Sequence, residues 1–95
     1  MVNLESLRSF FSKQPVSKAW LFGSYARGEE REDSDVDILV EFEKDAKIGL
    51  FKHAQIILSL ESLLNRKVDL VPAGGVYPFI RENINRDKIL IYERI

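Results

Sequence analysis

Apolar positions change their spacing several times along this chain, and each change marks an element. Leu4, Leu7 and Phe11 recur at helical spacing, with Phe10 beside them, and Asn3 is placed to cap the start. Pro15 ends that helix after about ten residues. Ala19 to Phe22 is apolar at every position, the pattern of a strand buried on both faces. Gly23-Ser24 interrupts it at once, and a short helix follows that Gly28 terminates. Glu29 to Asp33 is a solvated, charged loop.

Val36 to Phe42 is rich in β-branched and apolar residues and predicts a second strand. A polar connection, Glu43 to Lys47, leads to the longest predicted helix, Gly49 to Leu64. Its stripe is Ile56, Ile57, Leu60, Leu63 and Leu64, with Leu50 and Ala54 nearby, and Asn65 is a left-handed cap candidate. Lys67 to Val71 predicts a third strand, broken by Pro72-Ala73-Gly74-Gly75. Pro78 to Ile84 reads as a short helix with proline in its first turn, and Ile89 to Tyr92 as an edge strand.

Alternating strands and helices predict the α/β (α+β) class, a small mixed β-sheet flanked by helices. The stretch from Ser24 to Asp35 is too short for a parallel crossover, so the first two strands should be antiparallel. With 95 residues and no interdomain linker, residues 1–95 are expected to form one domain. Without cysteine, disulfide scaffolds, thiolate metal sites and cysteine nucleophiles are excluded. No apolar run is long enough to cross a bilayer, and the amino terminus does not read as a signal peptide, so no membrane association and a cytoplasmic location are expected. A net charge of −1 offers no basic excess for a long nucleic acid, which points instead to a small phosphorylated ligand or a protein partner.

The chemistry concentrates on three acidic residues. Asp35 and Asp37 are two apart at the start of a strand. That puts them on one face, with Cα atoms about 6.6 Å apart. Carboxylates so spaced suit Mg²⁺, a hard cation that keeps room for water and phosphate. Asp69, inside Val68-Asp69-Leu70-Val71, is the candidate third carboxylate. An ionised side chain in that setting is costly unless it is paired or bound to metal. Gly23 lets backbone approach a phosphate closely, the following N–H groups are free to donate, and the Ser24 hydroxyl can donate as well.

Gly23-Ser24, ten residues, then Asp35-Val36-Asp37, with Asp69 on a later strand, resembles the signature of the polymerase-β-type nucleotidyltransferase superfamily. Gly23-Ser24-Tyr25-Ala26-Arg27-Gly28 and Ser34-Asp35-Val36-Asp37 are most similar in wording to the minimal nucleotidyltransferases, the antitoxin partners of HEPN-domain toxins. The resemblance runs from Trp20 to about Val71 and more loosely beyond. It implies a polymerase-β-like nucleotidyltransferase fold. It also implies two Mg²⁺ on Asp35, Asp37 and Asp69, with Asp69 acting as base. Gly23 and Ser24 would cradle the β- and γ-phosphates of ATP, and Arg27 would steady phosphate charge. The implied reaction moves AMP to a protein hydroxyl, typically a tyrosine of the partner toxin.

Blander readings stand beside these. Asp69 could be salt-bridged to Arg66 or Lys67, and Arg27 could serve a surface ion pair. His53 reads as a solvated or packing residue and Trp20 as core, while Tyr25, Tyr77 and Tyr92 could pack or bind a base. Two other functions fit the same chain: a catalytically silent antitoxin acting by contact, and a transferase for a small molecule such as an aminoglycoside. In the latter, a homo-oligomer would replace a missing acceptor domain.

Overall fold

The computed structural model describes residues 3–75 and 78–94. Helix α1, Leu4–Ser12, starts as expected, with the Asn3 side chain accepting the Ser6 N–H at 3.1 Å. Strand β1, Val16–Phe22, leads through Gly23 into the one-turn helix α2, Ser24–Arg27. Strand β2 is Val36–Phe42, helix α3 is Leu50–Leu64 and strand β3 is Val68–Pro72. A 3₁₀ turn, Ala73–Gly75, precedes helix α4, Pro78–Asp87, and strand β4, Ile89–Glu93, follows. Left-handed backbone at Gly28 and Asn65 ends α2 and α3, as their positions predict.

The sheet has the order β3-β2-β1-β4. The β1–β2 pair is antiparallel, as the short connection requires, and β2–β3 is parallel, with α3 as its crossover. Two predicted elements are longer than their hydrophobic patterns. β1 begins at Val16 rather than Ala19, because β2 and β4 supply ladder partners on both edges. The half-exposed Ser17 and Lys18 hide that start from an apolar pattern. α4 runs on to Asp87, three residues beyond its last buried side chain, Ile84.

The two sheet faces have different jobs. One buries Ala19, Leu21, Ile38, Val40, Leu70 and Ile91 against Leu7 and Phe11 of α1 and Ile56 and Leu60 of α3. Each such large side chain withdrawn from water contributes about 1.5–3 kcal/mol before entropy is counted. The other face carries Trp20, Phe22, Leu39 and Val71, covered among the described residues by Ile84 of α4 and Ala73 of the 3₁₀ turn. The carboxylates stand on that second face. Arg94 ties the last strand to the first helix, donating to the carbonyls of Phe11, Ser12, Gln14 and Val16 and pairing with Glu43 at 3.1 Å. No helix among the described residues is long and apolar enough to cross a membrane.

Candidate active site

Strand alternation and strand register together assemble the site. Val36, Ile38 and Val40 face the main core, so Asp37 points the opposite way, into the face beneath α4. Val68 and Leu70 likewise turn Asp69 to that side. In the parallel β2–β3 pair Asp37 is the direct partner of Asp69, and across β1 Asp37 is opposite Phe22. Asp35 sits just ahead of β2, exposed, two residues before Asp37. Asp37 and Asp69 therefore share one side of the sheet, and Asp35 lies near enough to act on Asp37 through its charge.

Their mutual repulsion is visible at Asp37. Burial pushes this half-buried carboxyl above its ordinary value, Asp69 and then Asp35 push it further, and Arg27 draws it partly back. None of the three forms a hydrogen bond or ion pair through its side chain among the described residues. The salt bridge considered for Asp69 is absent: Arg66 donates to the Glu32 carbonyl and lies 6.0 Å from the Tyr25 ring.

Gly23 closes the other side. Its φ of +72° and ψ of −152° lie in a region that is essentially glycine's alone. A Cβ placed there would come within 2.1 Å of the Asp37 Oδ2. The bare backbone is what lets the turn pass against the carboxylate. Ser24 opens α2, and the Ala26 and Arg27 N–H groups return to the Gly23 carbonyl, so those of Ser24 and Tyr25 lie ahead of the turn's own hydrogen bonds. With four residues, α2 sums few peptide dipoles, and any phosphate affinity here belongs to Gly23, Ser24 and their backbone.

Among the described residues no group of three or more His, Cys, Asp or Glu side chains is drawn together closely enough to hold a metal ion. The donor set nonetheless fits magnesium, which takes one or two carboxylates and completes its shell with water and substrate phosphate. A divalent cation would also offset the repulsion concentrated on Asp37.

Arg27 was named from sequence for phosphate charge. It donates to Glu29 at 2.7 Å and reaches Asp87 of α4 at 3.4 Å, and these partners, Glu29 foremost, push its guanidinium above its ordinary value. Sequence reasoning missed Asp87, which lies 60 positions away and meets Arg27 only because α4 folds across the face. It also read Trp20 as plain core, whereas the indole is half-buried and carries the Lys88 ammonium 4.6 Å from its ring centroid. Of the two roles open to His53, the structure shows packing, edge-on to Phe42. Tyr25 and Tyr92 pack against the main core, and Tyr77 lies outside the described residues.

Comparison with known proteins places this geometry in context. A family model described as a nucleotidyltransferase domain matches residues 4–91. The protein adenylyltransferase MntA of Thermococcus cleftensis is 35% identical over 99 residues, covering 96% of this chain and 98% of that protein. A Methanocaldococcus jannaschii protein, provisionally named a protein adenylyltransferase, is 39% identical over 80 residues, 83% of this chain and 80% of its own length. A solved chain provisionally described as a minimal nucleotidyltransferase superposes with a TM-score of 0.73 at 41% identity, covering 93% of this chain and 95% of that one. A chain of a toxin–antitoxin crystal structure with AMP-PNP shares the fold with a TM-score of 0.84 at 20% identity, covering 98% of this chain and 75% of its own.

Proposed function

The chain belongs to the nucleotidyltransferase domain family and has its small mixed four-stranded sheet, and from that premise we propose that it is a protein adenylyltransferase moving AMP from ATP to a partner's hydroxyl. The acceptor in this reading is a tyrosine of a HEPN-type toxin, and the protein is that toxin's antitoxin. Relatives named protein adenylyltransferase support the reaction class, and fold neighbours crystallised as toxin–antitoxin complexes, one with a tri-AMPylated HEPN toxin, support the setting.

The observation that carries the reading is the side-by-side register of Asp37 and Asp69 on the face that Gly23 abuts. Asp35, Asp37 and Asp69 would hold magnesium, which supplies charge neutralisation at the triphosphate and the reacting phosphorus. Gly23 and Ser24 seat the β- and γ-phosphates through backbone N–H groups and the hydroxyl. Asp69, on β3 and exposed to an incoming group, takes the proton of the acceptor hydroxyl. The acceptor oxygen bonds to the α-phosphorus, the bridging α–β P–O bond breaks and pyrophosphate leaves in line. Arg27, itself exposed, can turn from Glu29 and the half-buried Asp87 toward phosphate, because pairs at the surface hold it weakly.

The test uses α-labelled ATP, magnesium and a purified HEPN-type protein supplied as the candidate partner. The native protein should transfer label and add AMP mass to the partner, and the Asp35→Asn/Asp37→Asn variant should do neither. Undiminished labelling by that variant refutes the proposal.

One observation favours a second reading, in which neutralisation is by contact alone. On α3, on the far side of the sheet from the carboxylates, Phe51 is 94% and Leu58 66% exposed, an apolar surface the chemistry does not use. Neutralisation by the Asp35→Asn/Asp37→Asn variant without added mass would establish it.

A further inference from the structure

A cavity of about 240 Å³ lies under α4 on the same sheet face as the carboxylates. Trp20, Leu39 and Ile84 form its apolar walls, and Glu41, Arg81, Asn85 and Lys88 are its polar lining. Leu39 is the next residue after Asp37 on this face of β2, about 6.8 Å along the strand, and Trp20 is its partner on β1. The cavity thus begins one side chain beyond the reacting centre. It is below the usual size for a drug-sized ligand and suits a single ring system.

The geometry points to this cavity as the seat of the donor's adenine, with Asn85 as the residue that reads it. The inference rests on the reading above that Asp37 and Asp69 hold the reacting phosphate. In-line displacement puts the acceptor opposite the leaving pyrophosphate. Gly23, at the end of β1, and Asp69, on β3, flank Asp37 from opposite sides. With pyrophosphate on Gly23 and Ser24, the acceptor arrives over β3. The ribose and base are left to run down the β1–β2 surface toward Leu39 and Trp20.

The lining matches the ring. The indole offers a flat stacking surface, with Leu39 and Ile84 as apolar walls. The Asn85 amide, which makes no hydrogen bond among the described residues, carries the donor and acceptor that pair with the N7 and N6 edge of adenine. Glu41, already accepting from the Ser17 hydroxyl at 3.0 Å, can accept from the exocyclic amine as well. Lys88 covers the indole in the free protein, but a cation–π contact of this kind is weak and its stem is flexible, so the base can replace it.

Trp20 is the chain's one tryptophan, so its emission reports on this cavity alone. ATP, GTP and inorganic tripolyphosphate would be titrated with magnesium, reading Trp20 fluorescence and, by calorimetry, affinity. ATP should change the emission saturably. Tripolyphosphate should compete with it and leave the emission unaltered. ATP should bind about tenfold more tightly than GTP, and Asn85→Ala should remove that preference without weakening tripolyphosphate, a change worth one or two neutral hydrogen bonds. ATP that binds calorimetrically without moving the emission, and with the same affinity as GTP in both proteins, overturns the adenine assignment while leaving the phosphate site intact. If neither ATP nor tripolyphosphate binds, the carboxylate reading falls and the adenine seat with it.

Discussion

Replacing Gly23 by alanine separates the local cost of the turn from its consequence for chemistry. Two things happen at that residue. The backbone, at φ +72° and ψ −152°, occupies a region that costs a residue with a side chain about 1–3 kcal/mol. The new Cβ would also lie 2.1 Å from Asp37 Oδ2 and 3.0 Å from Cγ. The free end of the Asp37 side chain is the part that can yield, so the carboxylate rotates away. Strain of about 2 kcal/mol lowers the melting temperature of a domain this size by roughly 8–16 °C. Under the proposed function that oxygen would hold the metal, and displacing it by an ångström or more costs about 10²-fold in rate. Gly28→Ala is the control. Its φ is +70°, but a Cβ there meets nothing within 4 Å, so it should lose about 1–2 kcal/mol of stability and keep its transfer rate. The assay is thermal unfolding of both variants, followed by transfer from α-labelled ATP at a temperature where both are folded. If Gly23→Ala transfers label as fast as Gly28→Ala, the Gly23–Asp37 approach has no part in the reaction. If its melting temperature also matches the native protein, the strained turn itself is wrong.

Further outcomes follow from the same coordinates. Asp37→Asn should abolish label transfer yet raise the melting temperature of the metal-free protein, because it removes an ionised group pressed by burial, Asp69 and Asp35. The sign is that of a carboxyl raised in the folded state: its stability contribution is complete below the unfolded value and lost as pH rises through the folded one. Metal-free native protein should therefore gain melting temperature from Asp37 on acidification through that interval, a gain that Asp37→Asn lacks; equal pH slopes for the two would refute it. Arg94→Ala removes a donor from four carbonyls between the end of α1 and the start of β1, of which that of Phe11 keeps the Gln14 N–H, and should cost about 1–3 kcal/mol by urea midpoint with label transfer unchanged once folded. Asp87→Asn should shift stability by under about 1 kcal/mol, since its pair with Arg27 is exposed, and leave the KM for ATP equal or lower as Arg27 is released. A rise in KM would show that Asp87 aims Arg27 at the nucleotide.

Much of this protein is local in origin. Period-two alternation alone sends Asp37 to the face opposite Val36 and Ile38. Apolar runs and their breakers mark every element, with Asn3, Gly28 and Asn65 at the predicted caps. The nucleotidyltransferase signature lies in one short span, Gly23 to Asp37, and the short connection within it dictates an antiparallel pair. The extents of β1 and α4 were less legible, because strand ends depend on partners across the ladder and an exposed helical turn buries nothing.

The tertiary structure alone decided how far-apart residues meet. A one-residue slip of β3 against β2 would turn Asp69 into the core, and the burial of Val68 and Leu70 in the main core selects the register that sets it beside Asp37. The same holds for α4. Nothing near Arg27 or Trp20 in the chain announces Asp87 or Lys88, which arrive because Ile84 closes over Leu39. Short-range spacing is written residue by residue, whereas register and the docking of a helix minimise exposed apolar surface over the whole chain at once, and that sum has no local signature.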